Sequence, residues 1–342
     1  MTLFSIALLL ILGLSHMCSA LDSRNTCTIS RTTFDTILSS TNASSKAGLA
    51  WPNGNFDDYK QYTSTGKVSW YYTWSPNVIN ADLEFVPMLW GEDQVQAFSS
   101  TIDETISQNK VSAVLGMNEP EQGGQSNLTP AQGADMWKSY IQPLKSQGLR
   151  LGTPAPSSAP SGKTWIQDWI SVCDGGCTPD FVALHWYDIN ATQFQLYLED
   201  FHNAFDLPIW VTEWACQVIY RFDELDPRQL FLCINSPPKR QNYNNGPQCT
   251  QEEVVEFLNQ TQSFMDSTPW VEWYAWFGVM ENLQGVNSVN AMMDQNGHIT
   301  ALGEQYIGEN GDSVQLSRAI RTHPTHLQLI LAFTTILLMY IV

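Results

Sequence analysis

Basic residues are scarce in this 342-residue chain: 16 Lys and Arg stand against 34 Asp and Glu, a formal net charge of −18. A surface so short of positive charge excludes nucleic acids and other polyanions as partners. It suits a neutral ligand. No Gly-rich loop follows any apolar run, so the phosphate cradle of a nucleotide or dinucleotide site is missing. No Pro-, Gly- or Ser-rich linker divides the middle of the chain and no repeat recurs, which argues for one large domain or two small ones. Zinc spacing is absent too. The close pair Cys173 and Cys177 has no second ligand pair beside it, so neither a metal nor another cofactor is expected.

Long apolar runs occur at the two ends. Residues 1–20, MTLFSIALLLILGLSHMCSA, end in small residues and read as a secretory signal peptide, although no Lys or Arg precedes the apolar core. Residues 327–342 are apolar and too few for an ordinary span, which takes about 20. With the polar spacer and the small residues around Asn310 and Gly311, segment 309–342 reads as a glycosylphosphatidylinositol-anchor signal. The expected product is secreted, held at the cell surface by lipid, and monomeric. Residues 21–46 form an N-terminal segment and 47–308 the main domain. Outside the leader lie Cys27, Cys173, Cys177, Cys216, Cys233 and Cys249, an even set that predicts disulfides, with Cys173–Cys177 the natural pair. Sequons at Asn42, Asn127, Asn190 and Asn259 predict exposed, glycosylated positions.

What is abundant is aromatic: 13 Trp, 12 Tyr and 15 Phe. Most belong in a core, but an excess of Trp also suits the apolar faces of sugar rings. Apolar runs at 47–51, 68–74, 83–90, 112–120, 150–156, 180–188, 208–215 and 271–278 read as strands. Helical spacing appears at 93–108, 129–148, 164–173, 193–205 and 250–267. Strands alternating with helices predict an α/β fold, specifically a single (β/α)8 TIM barrel; an open doubly wound sheet is the alternative. The 216–249 connection is long and cysteine-rich, and reads as an elaborated loop stapled by disulfides.

Barrel chemistry sits at the C-terminal ends of strands. There the sequence places Asn118 and Glu119, then His185, Trp186 and Tyr187, then Glu213 and Trp214, and finally Trp276. Two glutamates closing apolar strands are costly to bury unless paired or used. Glu119 and Glu213 stand 94 residues apart, about three βα units, and so face each other across the barrel mouth. Two facing carboxyl groups suit glycoside hydrolysis, one as acid and one as nucleophile at about 5–5.5 Å. The alternatives are a structural ion pair with Arg150, or a metal held by Glu119, His185 and Glu213.

The motifs KAGLAWPN, WYYTWSP, FVPMLWG, LGMNEPE, LGTPAPS, ALHWYD and TEWA, in that order over about 47–307, resemble glycoside hydrolase family 128, the fungal-type β-1,3-glucanases of clan A related to alkali-sensitive linkage proteins. The resemblance implies a retaining, endo-type β-1,3-glucan hydrolase acting on cell-wall glucan at the cell surface. It implies Glu119 as acid/base, which must be protonated at working pH, and Glu213 as an ionised nucleophile. Asn118 would hold the hydroxyl next to the anomeric centre, and His185 and Tyr187 would orient the nucleophile or line the sugar site. Trp51, Trp186 and Trp276 would be stacking platforms. A non-hydrolytic β-1,3-glucan-binding wall protein, or a clan A glycosidase on β-1,4-glucan or mannan, are the alternatives.

Overall fold

The computed structural model describes residues 46–218 and 248–309. The leader, the terminal tail, most of the 216–249 connection, and with them Cys27, Cys233 and Asn42, lie outside the described residues.

Among the described residues there are eight short parallel strands: β1 Ala47–Ala50, β2 Val68–Tyr72, β3 Glu84–Phe85, β4 Ala113–Val114, β5 Arg150–Leu151, β6 Val182–Tyr187, β7 Ile209–Ala215 and β8 Val271–Trp276. Ladders join β3-β2-β1-β8-β7-β6 and, separately, β4-β5. Single parallel bridges close the two gaps, Met88 to Leu115 between β3 and β4 and Gly152 to Phe181 between β5 and β6. The strands therefore run full circle, as the alternation of elements predicts for a (β/α)8 barrel. Several are shorter than their apolar runs, because pairing is reduced to isolated bridges where a run continues past its ladder, as at Asn118–Ala155.

The outer layer contains α1 Val95–Gln108, α2 Pro130–Met136, α3 Pro160–Cys173, α4 Ala191–Phe205, α5 Gln251–Ser267 and α6 Ala301–Ile307. Their starts are written in the sequence. Thr129 with Gln132, and Thr250 with Glu253, form capping boxes, and Pro130 and Pro160 occupy first turns. The Asn190 side chain caps α4 by accepting the Thr192 and Gln193 N–H groups. The helix expected over 129–148 is α2 continued by a wide turn and a tight one as far as Gln147, and α6 was not anticipated.

Period-two alternation sorts the strand residues into two layers. Ala50, Trp70, Tyr72, Ala183, Trp210 and Ala275 fill the barrel interior. Leu49, Tyr71, Leu184, Val211 and Tyr274 face the helices. Gly48 is needed on β1 because a Cβ there would overlap the Trp70 ring. Cys173–Cys177 is a disulfide, as expected, and Cys216–Cys249 clasps the ends of the long connection. Asn127, Asn190 and Asn259 are exposed.

Candidate active site

Beyond β4 the chain turns sharply at Glu119, whose φ of 38° lies in the left-handed region. Such a conformation costs a non-glycine residue about 1–3 kcal/mol and persists only where neighbours enforce it. Here the Glu119 N–H donates to the Ala155 carbonyl at 2.7 Å, and the Gln122 N–H donates to the Glu119 carbonyl at 2.9 Å. The carboxyl group is thereby carried into the barrel mouth.

Glu213 arrives by a different device. In the β6–β7 ladder Leu184 pairs with Val211, but His185 pairs with Glu213, so Thr212 is an extra residue. By strict alternation from Trp210, which is interior, Glu213 would point at the helices. The irregularity at Thr212 reverses the phase, turning Glu213 inward and leaving Trp214 in the outer layer. The buried Tyr72 hydroxyl donates to the Thr212 carbonyl at 2.8 Å and pins that step.

The two carboxylates meet through His185. Its Nδ1 lies 3.0 Å from Glu119 Oε1 and 3.5 Å from Glu213 Oε2. One donor atom from each of the three residues falls within 4.8 Å of the others. Glu213 has a donor on each oxygen: the Trp74 indole N–H reaches Oε1 at 2.6 Å, and the Tyr187 hydroxyl reaches Oε2 at 2.6 Å. Phe277 packs edge-on against both donors, with ring centroids 5.7 Å from Trp74 and 5.8 Å from Tyr187.

These contacts set the protonation equilibria. Burial is the largest influence on Glu213 and raises its pKa, and nearby Glu119 raises it further; His185, Tyr187 and Trp74 oppose the shift without cancelling it. Burial alone would lower the His185 pKa, but the surrounding Glu213, Glu119 and Glu121 outweigh it and the imidazolium is favoured. Burial and then Glu213 hold the Tyr187 phenol well above its ordinary range, so it stays a donor.

A cavity of about 780 Å³ opens over this cluster. Asn118, Glu119, Tyr187 and Glu213 line it, with Trp74, Trp90 and Phe277 as its aromatic walls. Asn118 donates its amide N–H to Gln125 at 3.1 Å, while its Oδ1 is buried without a partner among the described residues, an acceptor left over for a hydroxyl. Buried His185 lies beneath the mouth, joining the carboxylates.

Three expected platforms are placed elsewhere, and the reading must be corrected for them. Trp51, Trp186 and Trp276 are out of phase with the interior residues and pack in the barrel–helix layer. The indole N–H groups of Trp51 and Trp276 are used on the Gly54 and Asn290 carbonyls. The aromatic walls come instead from Trp74, Trp90 and Phe277, which sequence reasoning had not singled out as site residues. For Trp74 and Phe277 a signal existed: they continue the interior alternation of Trp70–Tyr72 and of Trp273–Ala275 by one step.

Arg150, the alternative partner for a glutamate here, instead pairs with Glu272 at 2.7 Å. Glu119, His185 and Glu213 form the one group that could hold a metal among the described residues. Their contacts are equally those of a hydrogen-bonded acid pair. The chemistry this arrangement supports is proton transfer to a leaving oxygen from one carboxyl and attack by the other.

Residues 48–306 match the family described as the glycosyl hydrolase catalytic core. Alkali-sensitive linkage protein 1 of Schizosaccharomyces pombe is 28% identical over 270 residues, covering 77% of this chain; the chain spans only 44% of that relative's length. Among solved structures, a curdlan-specific exo-β-1,3-glucanase of glycoside hydrolase family 128 from Blastomyces gilchristii, in complex with glucose, is 26% identical with a TM-score of 0.57, covering 78% of this chain and 100% of its own. An endo-β-1,3-glucanase of the same family from Amycolatopsis mediterranei, in complex with laminarihexaose, is 25% identical with a TM-score of 0.58, covering 77% and 98%. The barrel, the facing glutamates at its mouth and the match over nearly all described residues lead to one conclusion: this chain belongs to the glycosyl hydrolase catalytic core family and, within it, to glycoside hydrolase family 128.

Proposed function

We propose that the protein hydrolyses β-1,3-glucan by double displacement, with Glu119 as acid/base and Glu213 as nucleophile. One observation carries the reading: oxygens of the two carboxylates lie within 4.8 Å of each other at the mouth of the barrel. Inverting pairs stand about 6.5–9.5 Å apart to admit a water, whereas retaining pairs stand at about 5–5.5 Å. The β-1,3 linkage is supported by the relatives solved with laminarihexaose and described as curdlan-specific.

In the first step Glu213 attacks the anomeric carbon as the bond to the leaving oxygen breaks. Glu119 supplies the proton that the leaving oxygen takes up. The product is a glycosyl ester on Glu213. In the second step Glu119, now a carboxylate, takes a proton from water as that water attacks the same carbon, and Glu213 leaves as carboxylate. The Trp74 and Tyr187 donors favour the Glu213 anion released at the end. The His185 imidazolium offsets the repulsion between two carboxylates and thus permits their approach.

The mode of cleavage is proposed to be endo, on wall glucan, by a monomer exported and lipid-anchored at the cell surface. The apolar segments at 1–20 and 327–342 support export and anchoring. Parallel assays on laminarin, cellulose and mannan test the substrate: turnover of laminarin alone is expected, and turnover of cellulose or mannan in its place overturns the assignment. Release of the protein from cells by a phosphatidylinositol-specific phospholipase tests the anchor.

A further inference from the structure

Trp74 also has a left-handed backbone, with φ of 52°. For a bulky side chain this is a rare conformation that something must hold. The holder is Gln94, at the start of α1, which does not line the cavity. Its Nε2 donates to the Trp74 carbonyl at 3.0 Å, and its Oε1 accepts the Trp90 N–H at 3.3 Å. The chain of bonds continues on both sides. The Trp74 indole N–H ends on Glu213 Oε1. The Trp90 carbonyl accepts the Asn118 N–H at 2.9 Å, and Asn118 precedes Glu119. A single carboxamide therefore joins the segment that orients one glutamate to the segment that carries the other.

We infer that Gln94 is a positioning residue for the catalytic pair: it touches no reacting atom, but its amide holds the Trp74 turn that aims the indole at Glu213 and ties that turn to the Asn118–Glu119 strand end. Resting on the glycosidase reading, this deepens it by assigning part of the carboxylate geometry to a residue behind the aromatic wall. With the amide removed, the Trp74 turn relaxes, Glu213 Oε1 loses its donor, and the nucleophile drifts. The groups facing Glu213 are His185, Glu119, Tyr187 and Tyr72, so a lost indole donor is felt against a fixed set of charges.

The test is Gln94→Met, which keeps side-chain length without the amide, compared with Trp74→Phe and the double variant in the full chain. Gln94→Met should lower kcat on laminari-oligosaccharides by about tenfold with KM within about twofold, as expected for sub-ångström to ångström misplacement of a reacting group. The acid limb of kcat/KM should move to higher pH, as in Trp74→Phe. The double variant should be no slower than Trp74→Phe alone, because Gln94 acts through Trp74. Independently of turnover, the Trp74 indole N–H resonance, assigned by its loss in Trp74→Phe, should shift in Gln94→Met. If Gln94→Met does not fold, Gln94→Glu, which keeps the acceptor for Trp90 but not the donor to Trp74, is read by the same criteria. Wild-type kcat, an unmoved indole resonance, or multiplicative losses in the double variant each overturn the inference. A wild-type protein inert on laminarin would instead sink the glycosidase reading, while the indole resonance would still decide this one.

Discussion

The two ends of the barrel interior are both built from aromatic residues, yet they differ in what is left unsatisfied. At the N-terminal end Trp210 stacks on Phe181 at 3.7 Å and Trp70 on Trp273 at 5.0 Å. The polar atoms there are matched: the Trp70 N–H reaches the Lys46 carbonyl, the Trp210 N–H reaches Glu272, and Glu272 also holds Arg150. At the C-terminal end two residues with left-handed backbones, Trp74 and Glu119, crowd two carboxylates around a histidine, and Asn118 Oδ1 has no partner among the described residues. A few residues up the same strands, packing gives way to strain and unneutralised charge. The lower end stabilises the fold, and the upper end uses that stability to hold groups that repel each other.

The sharpest way to break this contrast is to remove each carboxylate. Glu119→Gln and Glu213→Gln should each cut laminarin turnover on the order of 10³-fold or more. The circular dichroism spectrum should be unchanged. Near-wild-type turnover in either variant would dissolve the distinction between the ends. The opposite outcome is expected below. Trp210→Ala should destabilise by about 3–5 kcal/mol in denaturant unfolding, the range for a large buried aromatic, while kcat per folded molecule holds. The two Trp layers differ more modestly. Trp90→Ala, on the cavity wall, should raise KM about tenfold, or ~1.4 kcal/mol; Trp51→Phe, in the barrel–helix layer, should leave KM unchanged. The smallest effect is on pH. The raised Glu213 pKa means the nucleophile protonates as pH falls through a value above the ordinary carboxylate range. The acid limb of kcat/KM should therefore lie above that range, and His185→Gln, which removes the cation opposing the shift, should move it higher still.

How much of this was visible beforehand follows from which physics each feature obeys. Glu119, Glu213, His185 and Tyr187 were legible because polar residues that end buried strands have few uses, and because barrel topology brings distant strand ends together. The facing of a residue was not. Trp186 and Trp276 sit beside site residues in sequence yet point away from them, since neighbours on a strand take opposite faces. Glu213 defeats simple counting as well, because the extra residue at Thr212 reverses the phase within β7. Trp74 depends on a left-handed turn held by Gln94, a contact between separate segments that neither period nor composition encodes.

The stereochemistry of the first product tests the central claim most directly. Reduced laminari-oligosaccharides should be cut while the reaction is followed by proton NMR at early times, before mutarotation. The β-anomer of the new reducing end should appear first, as two displacements at one carbon by the close pair Glu119 and Glu213 require. First appearance of the α-anomer would show a single displacement by water, and would contradict the account.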